Sequence, residues 1–498
     1  MALVVLCLPV FNPGLFWHLS AARWIIIHAR IPRTDVLSFT QYGTPWIDFE
    51  WGTQLFWYGA NLVGGLWGLW VLKGLLLIGA FWPVDGLLRE KGASDAARAG
   101  ALALWVAAML AQTDLRADLT SVMFFGLLLW RLERRRASFL FGFGLFALWA
   151  NLHAGFILAF GLYALAAFVA PQPDLAAEAM GAVLGTLINP YGFGIYRVLF
   201  AHASEPAVRS VMEWGPPSGH NPFQAPLILA MLLVLGLAWA GRRASKFLLG
   251  AAFATLCASA MSARFGAYFA AAGTMFLFSA FPKPRAAFVA AGLAVMSALL
   301  FPLRIRLHDR PFNDFIVARR AVNFVVRERR ALQRLRMFNQ YEWGGYLGWR
   351  LGEDGLVFGD GRYLFHSQLP EINAALTSAE NLAGFAARHR LDGFLIKNLD
   401  AKLPSTRVYP DGTKRQFERP WYISYLPRER WALIYWDEQA LVFVDRAKVP
   451  ADWLAAHEYR WVLPGDEAAR DDAYRRGEIP RLAFAAENVR HLYEVKVR

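Results

Sequence analysis

The residues best suited to chemistry lie in short polar stretches between long apolar runs. "TPWIDFEWGTQ" places Asp48 and Glu50 between Trp46 and Trp51. In an extended segment, positions i and i+2 face the same way, so the two carboxylates would act together; if the helix has already begun, they diverge. Indoles on either side would strip water from them and raise their pKa, which suits a general base. The competing expectation is that one of them caps the helix starting near Trp51. "GLFWHLSAARW" (14–24) carries His18 and Arg23. A spacing of five does not put them on one helical face; His18 fits a base or a phosphate ligand, or the polar tip of an interfacial aromatic belt. Arg116 and Arg264 sit in short links, where a guanidinium fork can hold a phosphate in two bonds or simply reach for the membrane interface. "LWANLHAG" (148–155) offers Asn151 and His153, and "VMEWGPP" (211–217) offers Glu213 with Trp214, a carboxylate and a ring for a sugar.

Elements of a particular kind must position these groups. The chain has 498 residues, 56% hydrophobic, 15% aromatic and 18% charged, with 20 Trp and a mean hydropathy of +0.30. That composition is polytopic-membrane rather than soluble. The net charge of +13 does not point to nucleic acid, because many basic residues stand at the ends of apolar runs. Cys7 and Cys257 lie in apolar segments and form no disulfide framework. No metal-spaced Cys/His cluster and no nucleotide-binding glycine motif is present, so neither a metal nor a cofactor is expected. Apolar runs fall at about 1–11, 54–88, 98–112, 119–131, 138–150, 153–170, 176–188, 225–240, 246–262, 264–281 and 285–302. The first is half a span long, without the basic start of a signal peptide, and reads as the end of a helix that is short or begins upstream.

Beyond 302 the character changes: 32 of the 52 Lys and Arg and 26 of the 39 Asp and Glu lie there. The expected architecture is therefore an all-α polytopic membrane domain of about eleven transmembrane helices over 1–302 and a soluble α/β domain over 303–498. In the second, "GLVFGD" (355–360), "DGFLIKN" (392–398) and "WALIYWDEQALVFVDR" (431–446) read as strands, the last as a hairpin turning at Asp437-Glu438. "SAENLAGFAARHR" (378–390) reads as an amphipathic helix, and 466–498 as helical. Glu342 and Trp343, in a glycine-rich stretch, and Asp360 and Arg362, at a strand end, are candidates for binding acceptor glycan or for packing.

Lys and Arg in the links set the orientation. The links 89–98, 131–136, 241–246 and 282–285 hold about twelve basic residues on alternate turns of the chain; these would be cytoplasmic. The loop 12–53, the links 112–118, 151–153, 189–224 and 262–264, and the C-terminal domain would then face outward. Seven carboxylates of the membrane domain are on that side: Asp35, Asp48, Glu50, Asp114, Asp118, Glu205 and Glu213. Without nucleotides there, an enzyme needs an activated substrate already across the membrane, and a lipid-linked one fits.

Taken in order, "GLFWHLSAARWIIIHARIPRTDVLSFTQYGTPWIDFEW", "LWANLHAGF", "NPYG" (189–192), "EWGPP" and "FNQYEWGGYLGWRL…VFGDGR" resemble a bacterial subgroup of the GT-C glycosyltransferase superfamily, related to protein mannosyltransferases and the aminoarabinose transferase of lipid A. The resemblance implies a many-helix fold with a lateral lipid cavity, a bacterial inner-membrane location, and inverting transfer of a sugar from a polyprenyl-phosphate donor to a lipid, glycan or protein acceptor. It gives Glu50 as the acid near the end of the first outer loop; the residues themselves add Asp48 and His18 as further catalytic candidates and Arg23, Arg116 and Arg264 for the donor phosphate. The subgroup's first acidic motif is replaced by Asn12-Pro13-Gly14. Two readings therefore stand: a transferase using Asp48, Glu50 or His18 as base, and a non-catalytic glycolipid-binding or transport protein. A glycan polymerase or ligase using a lipid-linked oligosaccharide is a third.

Overall fold

The computed structural model describes residues 8–169, 171–204, 215–238, 245–282, 311–353 and 355–496. Glu205, Glu213, Trp214 and the apolar run 285–302 lie outside them. The chain is mostly helical with a C-terminal sheet region, and divides into two compact units. The first comprises 1–12, 21–33 and 47–313; the second comprises 13–20, 34–46 and 314–498. Composition alone draws a single cut near 302. The contacts instead group two stretches of the loop 12–53 with the C-terminal chain.

That loop is not all loop. Helix α1 (Leu15–His28) occupies it, and His18 and Arg23 both lie on it, one buried and the other half-buried. Its apolar residues are continuous rather than periodic, which hid it beside the aromatic cluster. Residues 8–11, expected to end a helix, form a bend and a bridge instead, with Val10 paired to Phe312.

In the first unit, α2 (Trp51–Glu90), α3 (Asp95–Met109), α4 (Asp118–Glu133), α5 (Phe139–Leu152), α6 (Phe156–Val169), α7 (Pro173–Thr186), α8 (Gly194–Ser204), α9 (Ala225–Ala238), α10 (Lys246–Met261) and α11 (Gly266–Ala280) follow the apolar runs closely, except α8, inside the expected link 189–224. Among the described residues, α2 alone is long and apolar enough to cross a membrane by length and composition; α5, α6, α9 and α10 are apolar but have 14–16 residues. Gly65, at φ +58°, breaks α2; a side chain there would strain the backbone. Beyond the break, 66–90 rises roughly 37 Å, enough for a hydrocarbon core of roughly 30 Å. α5 and α7 touch backbone to backbone. A Cβ at Gly181 or Gly185 would fall inside the carbonyl oxygens of Phe139 and Phe143, so these two glycines, four apart, make the close approach possible.

The links bond to one another in two sets. Arg98 holds Asp85 at 2.7 Å, Lys91 holds Glu133 at 2.7 Å, Ser245 donates to Glu133 at 2.6 Å, and Ser94 N–H donates to Pro282 O at 3.3 Å. These are the arginine- and lysine-rich links. In the other set, Gln112 donates to Ala263 O, Arg33 to Pro190 O at 3.0 Å, Asn151 to Ile188 O at 2.6 Å, and Ala263 N–H to Gly215 O at 2.9 Å. The candidate groups of this unit lie in the second set.

The second unit is built on a four-stranded sheet of β1 (Met337–Asn339), β2 (Gly393–Lys397), β5 (Trp431–Trp436) and β6 (Ala440–Asp445) in the order β1-β2-β6-β5, with only β1 and β2 parallel. β3 (Lys402–Val408) and β4 (Lys414–Pro420) form a separate antiparallel hairpin. Asp437 makes the β5–β6 turn, its Oδ1 accepting from Gln439 N–H and Ala440 N–H, each at 2.8 Å. The stretch 355–360 is not a strand: it makes one bridge, Val357 to Ser38. Val357 and Phe358 are buried, Phe358 against Phe338 and Phe385, and buried apolar residues in an extended stretch look like a strand in the sequence. The polar hairpin β3–β4 had no hydrophobic alternation to show it. Helix α13 (Ala379–His389) follows α12 (Gly344–Leu351), capped by Ser378, whose Oγ accepts from Asn381 N–H at 3.1 Å.

Arg362 explains why 34–46 belongs to this unit. Its Nη1 donates to Asp35 Oδ1 at 2.6 Å, its Nε to Asp360 Oδ1 at 2.8 Å, and its guanidinium lies 4.7 Å from the Trp46 ring centre. All four residues are buried. The start of α1 packs on α12 through Phe16 and Tyr346, ring centres 4.7 Å apart.

Candidate active site

Glu50 ends the link ahead of α2 and occupies its N-cap position, but its side chain makes no capping hydrogen bond. The carboxyl is therefore not used to start the helix. What fixes it is the strapping of the α2 start to the 151–153 link. Trp51 Nε1 donates to Asn151 Oδ1 at 2.9 Å and Thr53 Oγ1 to Leu152 O at 2.7 Å. A Cβ on Gly52 would lie 2.6 Å from Asn151 O, so only glycine lets the two segments meet. Asn151 Nδ2 is itself spent on Ala147 O and Ile188 O, at 2.7 and 2.6 Å.

His153 Nε2 stands 3.7 Å from Glu50 Oε1. Its Nδ1 receives Gly155 N–H at 3.0 Å and lies 2.7 Å from Ser121 Oγ, to which Trp149 Nε1 donates at 2.6 Å. Asp48 is buried, and its Oδ1 accepts from Gln54 Nε2 at 2.6 Å. Asp118 opens α4, 3.8 Å from Arg116 Nε.

The electrostatics follow from burial. Glu50 is pushed up to about 8, chiefly by loss of water, then by the charge of Asp48; Arg264 and Arg116 oppose the rise and Asp118 adds to it. Burial pulls His153 down to about 4, with Asp118 opposing and Arg264 and Arg116 assisting. The Glu50–His153 contact is therefore not an ion pair at neutral pH. It is a neutral imidazole facing a carboxyl that gives up its proton near pH 8. Around it stand two arginines and two further carboxylates, within one unit.

Other sequence candidates fall elsewhere. Asn12 Nδ2 donates to Leu115 O at 2.9 Å, while both oxygens of Asp114 accept from Phe11 N–H, at 3.1 and 3.0 Å. Asp114 is raised to about 6 by burial, against the pull of those backbone donors. His18 is buried and stacked on Trp17, ring centres 3.6 Å apart. In the second unit Trp343 is buried, Glu342 is exposed 3.3 Å from Lys397 Nζ, and Asp360 and Arg362 are committed to the buried cluster with Asp35. Ser121, Trp149 and Gln54 escaped the sequence reading. A serine and a tryptophan within apolar helices carry no signal of their own, whereas Gln54 could have been noticed as the amide four residues beyond Glu50. Among the described residues, no group of three or more His, Cys, Asp or Glu is set to hold a metal ion.

No family model and no curated protein matches the chain. Solved structures do. The oligosaccharyltransferase of Archaeoglobus fulgidus in its apo form superposes with a TM-score of 0.51 at 12% identity, over 94% of this chain and 79% of that one. The archaeal oligosaccharyltransferase AglB from Archaeoglobus fulgidus, in complex with an inhibitory peptide and a dolichol-phosphate, gives 0.52 at 12%, over 90% and 77%. The chain has a GT-C-like fold. At this identity the likeness speaks for the fold, and a GT-C-like arrangement is the frame in which the Glu50 cluster sits.

Proposed function

We propose that this protein transfers a sugar from a polyprenyl-phosphate-linked donor to an acceptor on the outer face of a bacterial inner membrane, with Glu50 as general base. The observation that carries the reading is the Glu50 carboxyl, half-buried, uncommitted to helix capping, facing His153 and within the fields of Arg264 and Arg116. The AglB structure, which holds a dolichol-phosphate, supports a lipid-linked donor for this fold. In the reaction, ionised Glu50 takes the proton of the acceptor's hydroxyl as that oxygen attacks the anomeric carbon. The bond from that carbon to the phosphate oxygen breaks, and the electron pair leaves with the polyprenyl phosphate. Arg264 and Arg116 hold the charge that develops there, and charge-assisted bonds of this kind are the strong ones. Asp48 keeps Glu50 basic through its charge. Arg23 remains a candidate for the donor phosphate, as do Asn151 and His153 for the substrate. The shorter apolar helices complete a span set of about eleven, with the arginine-rich links cytoplasmic and 303–498 outside.

Asn12 favours a second reading, a glycolipid-binding or transport protein that keeps the fold, because its amide is built into the structure as a donor where an acid would serve as base. One assay separates the two. Purified protein is given polyprenyl-phosphate sugars and the release of polyprenyl phosphate is followed. Release that Glu50→Gln abolishes supports transfer; saturable binding without release supports the second reading.

A further inference from the structure

His153 invites the role of a second base beside Glu50, and its hydrogen bonds forbid it. A backbone N–H can only donate, so the Gly155 amide, 3.0 Å from Nδ1, requires an unprotonated Nδ1. Ser121 Oγ lies 2.7 Å from the same nitrogen and must also donate to it, since two lone pairs do not meet at that distance. The Trp149 indole N–H, a donor only, takes one lone pair of the serine oxygen from 2.6 Å, and with the Tyr268 hydroxyl filling the other the serine proton is left for Nδ1. Every obligatory donor in the chain runs toward Nδ1. The ring can then carry its proton only on Nε2, the nitrogen that faces Glu50 Oε1 at 3.7 Å. A second proton on Nδ1 would collide with the Gly155 N–H, and burial first, then Arg264 and Arg116, also act against a charged ring, with Asp118 opposing them.

We propose that Ser121, Trp149 and the Gly155 amide fix His153 as a permanently neutral Nε2–H donor, whose task is to orient Glu50 and favour its carboxylate form. His153 is on this account neither base nor acid. Ser121 and Trp149 are positioning residues acting through it. The groups facing the pair from neighbouring elements are Asp48, Asp118, Arg116 and Arg264, with the Tyr268 hydroxyl against Ser121. Gly155 is fixed by the same crowding, since a Cβ there would lie 2.6 Å from that hydroxyl. At 3.7 Å Nε2 faces Glu50 short of a hydrogen bond; once the carboxyl ionises the donor closes on it, and a donor to the charged form lowers the carboxyl pKa, so removing it moves Glu50 upward.

The inference rests on Glu50 being the base, and its test does not need turnover. In protein labelled with 15N-histidine, the ring resonances of His153, assigned by their loss in His153→Gln, should show a single Nε2–H tautomer from pH 6 to 9. An imidazolium or an Nδ1–H tautomer in that range overturns the proposal. The protonated carboxyl band of Glu50, identified by its absence in Glu50→Gln, is then followed by infrared difference spectroscopy against pH. In His153→Phe and in His153→Asn, whose amide mimics Nδ1, its midpoint should rise by roughly one pH unit. In His153→Gln, whose amide nitrogen takes the place of Nε2, it should return toward the wild-type value. Ser121→Ala should shift it in the same direction as His153→Phe, by less. Equal midpoints in His153→Phe and His153→Gln sink the idea even if transfer is observed. The expected pattern without any transfer leaves this proposal standing and removes the enzymatic reading instead.

Discussion

At the scale of single residues, the ionisation of Glu50 decides what the site can do. A carboxyl that titrates near 8 is mostly protonated at neutral pH, so a base mechanism has an acidic limb there. We expect kcat/KM to climb about tenfold per pH unit below pH 8 and to level off above it. A flat profile between pH 6 and 8 removes Glu50 from the base role. Glu50→Gln should lower transfer by roughly a hundredfold to ten-thousandfold while the protein stays folded. Stability has its own sign. The folded pKa lies above the ordinary value of 4.5, so the neutral form is the one the fold favours. That contribution is complete below about 4.5 and is lost as pH rises through about 8. Thermal stability of the wild type in detergent should therefore decline across that window more than that of Glu50→Gln. Asn12 raises a related question. Asn12→Asp removes the donor to Leu115 O and brings a second carboxylate toward Asp114. We expect it to cost about 1–3 kcal/mol of stability and to change turnover by less than about tenfold, ~1.4 kcal/mol of barrier. A larger gain in turnover would show that Glu50 and Asp48 do not supply the base.

At the scale of elements, the decisive contact is the α2 start against the 151–153 link. Gly52→Ala places a methyl 2.6 Å from Asn151 O, and the two segments must part. We expect a cost of about 1–3 kcal/mol, as for other overpacked contacts, and a loss of transfer beyond what that destabilisation explains, because Glu50 and His153 ride on the two parted segments. Thermal unfolding and kcat measured on the same sample check both halves. Wild-type kcat with lowered stability would show that the strap holds the fold without placing the carboxyl.

For the molecule as a whole, two expectations concern how the chain is organised. Arg362 is shared by Asp35 and Asp360 and has no exposure to solvent at its side chain. Arg362→Met leaves two buried carboxylates without their cation, at about 3–5 kcal/mol. Limited proteolysis should then cut within 34–46 faster than in the wild type. Orientation is tested separately, by fusing alkaline phosphatase after residue 498: the fusion should be active and a cytoplasm-only fluorescent protein dark. The reverse pattern overturns the topology, and with it the case for a lipid-linked donor.

The sequence by itself determined the helical runs, because apolar continuity over a dozen residues admits few other structures, and it determined which links belong together, because basic residues mark one set. It also singled out Glu50 and His153 as polar residues at the ends of apolar runs. The β5–β6 hairpin and the helix at 379–389 were legible from alternation and capping. Tertiary structure alone decided the rest. Helix α1 was hidden because aromatic, apolar residues without period read equally as an interfacial loop. The strand expected at 355–360 is buried chain without ladder partners, and a burial pattern cannot tell the two apart. Asp35 and Arg362 are 327 residues apart, and no local rule links a carboxylate in one loop to a guanidinium in another. Ser121 and Trp149 took their meaning only from the direction of their hydrogen bonds, which depends on two helices meeting beside the 153–155 link. Spacing along the chain proposes which groups could act; the packed backbone, through donors that cannot reverse, fixes the form in which each is held.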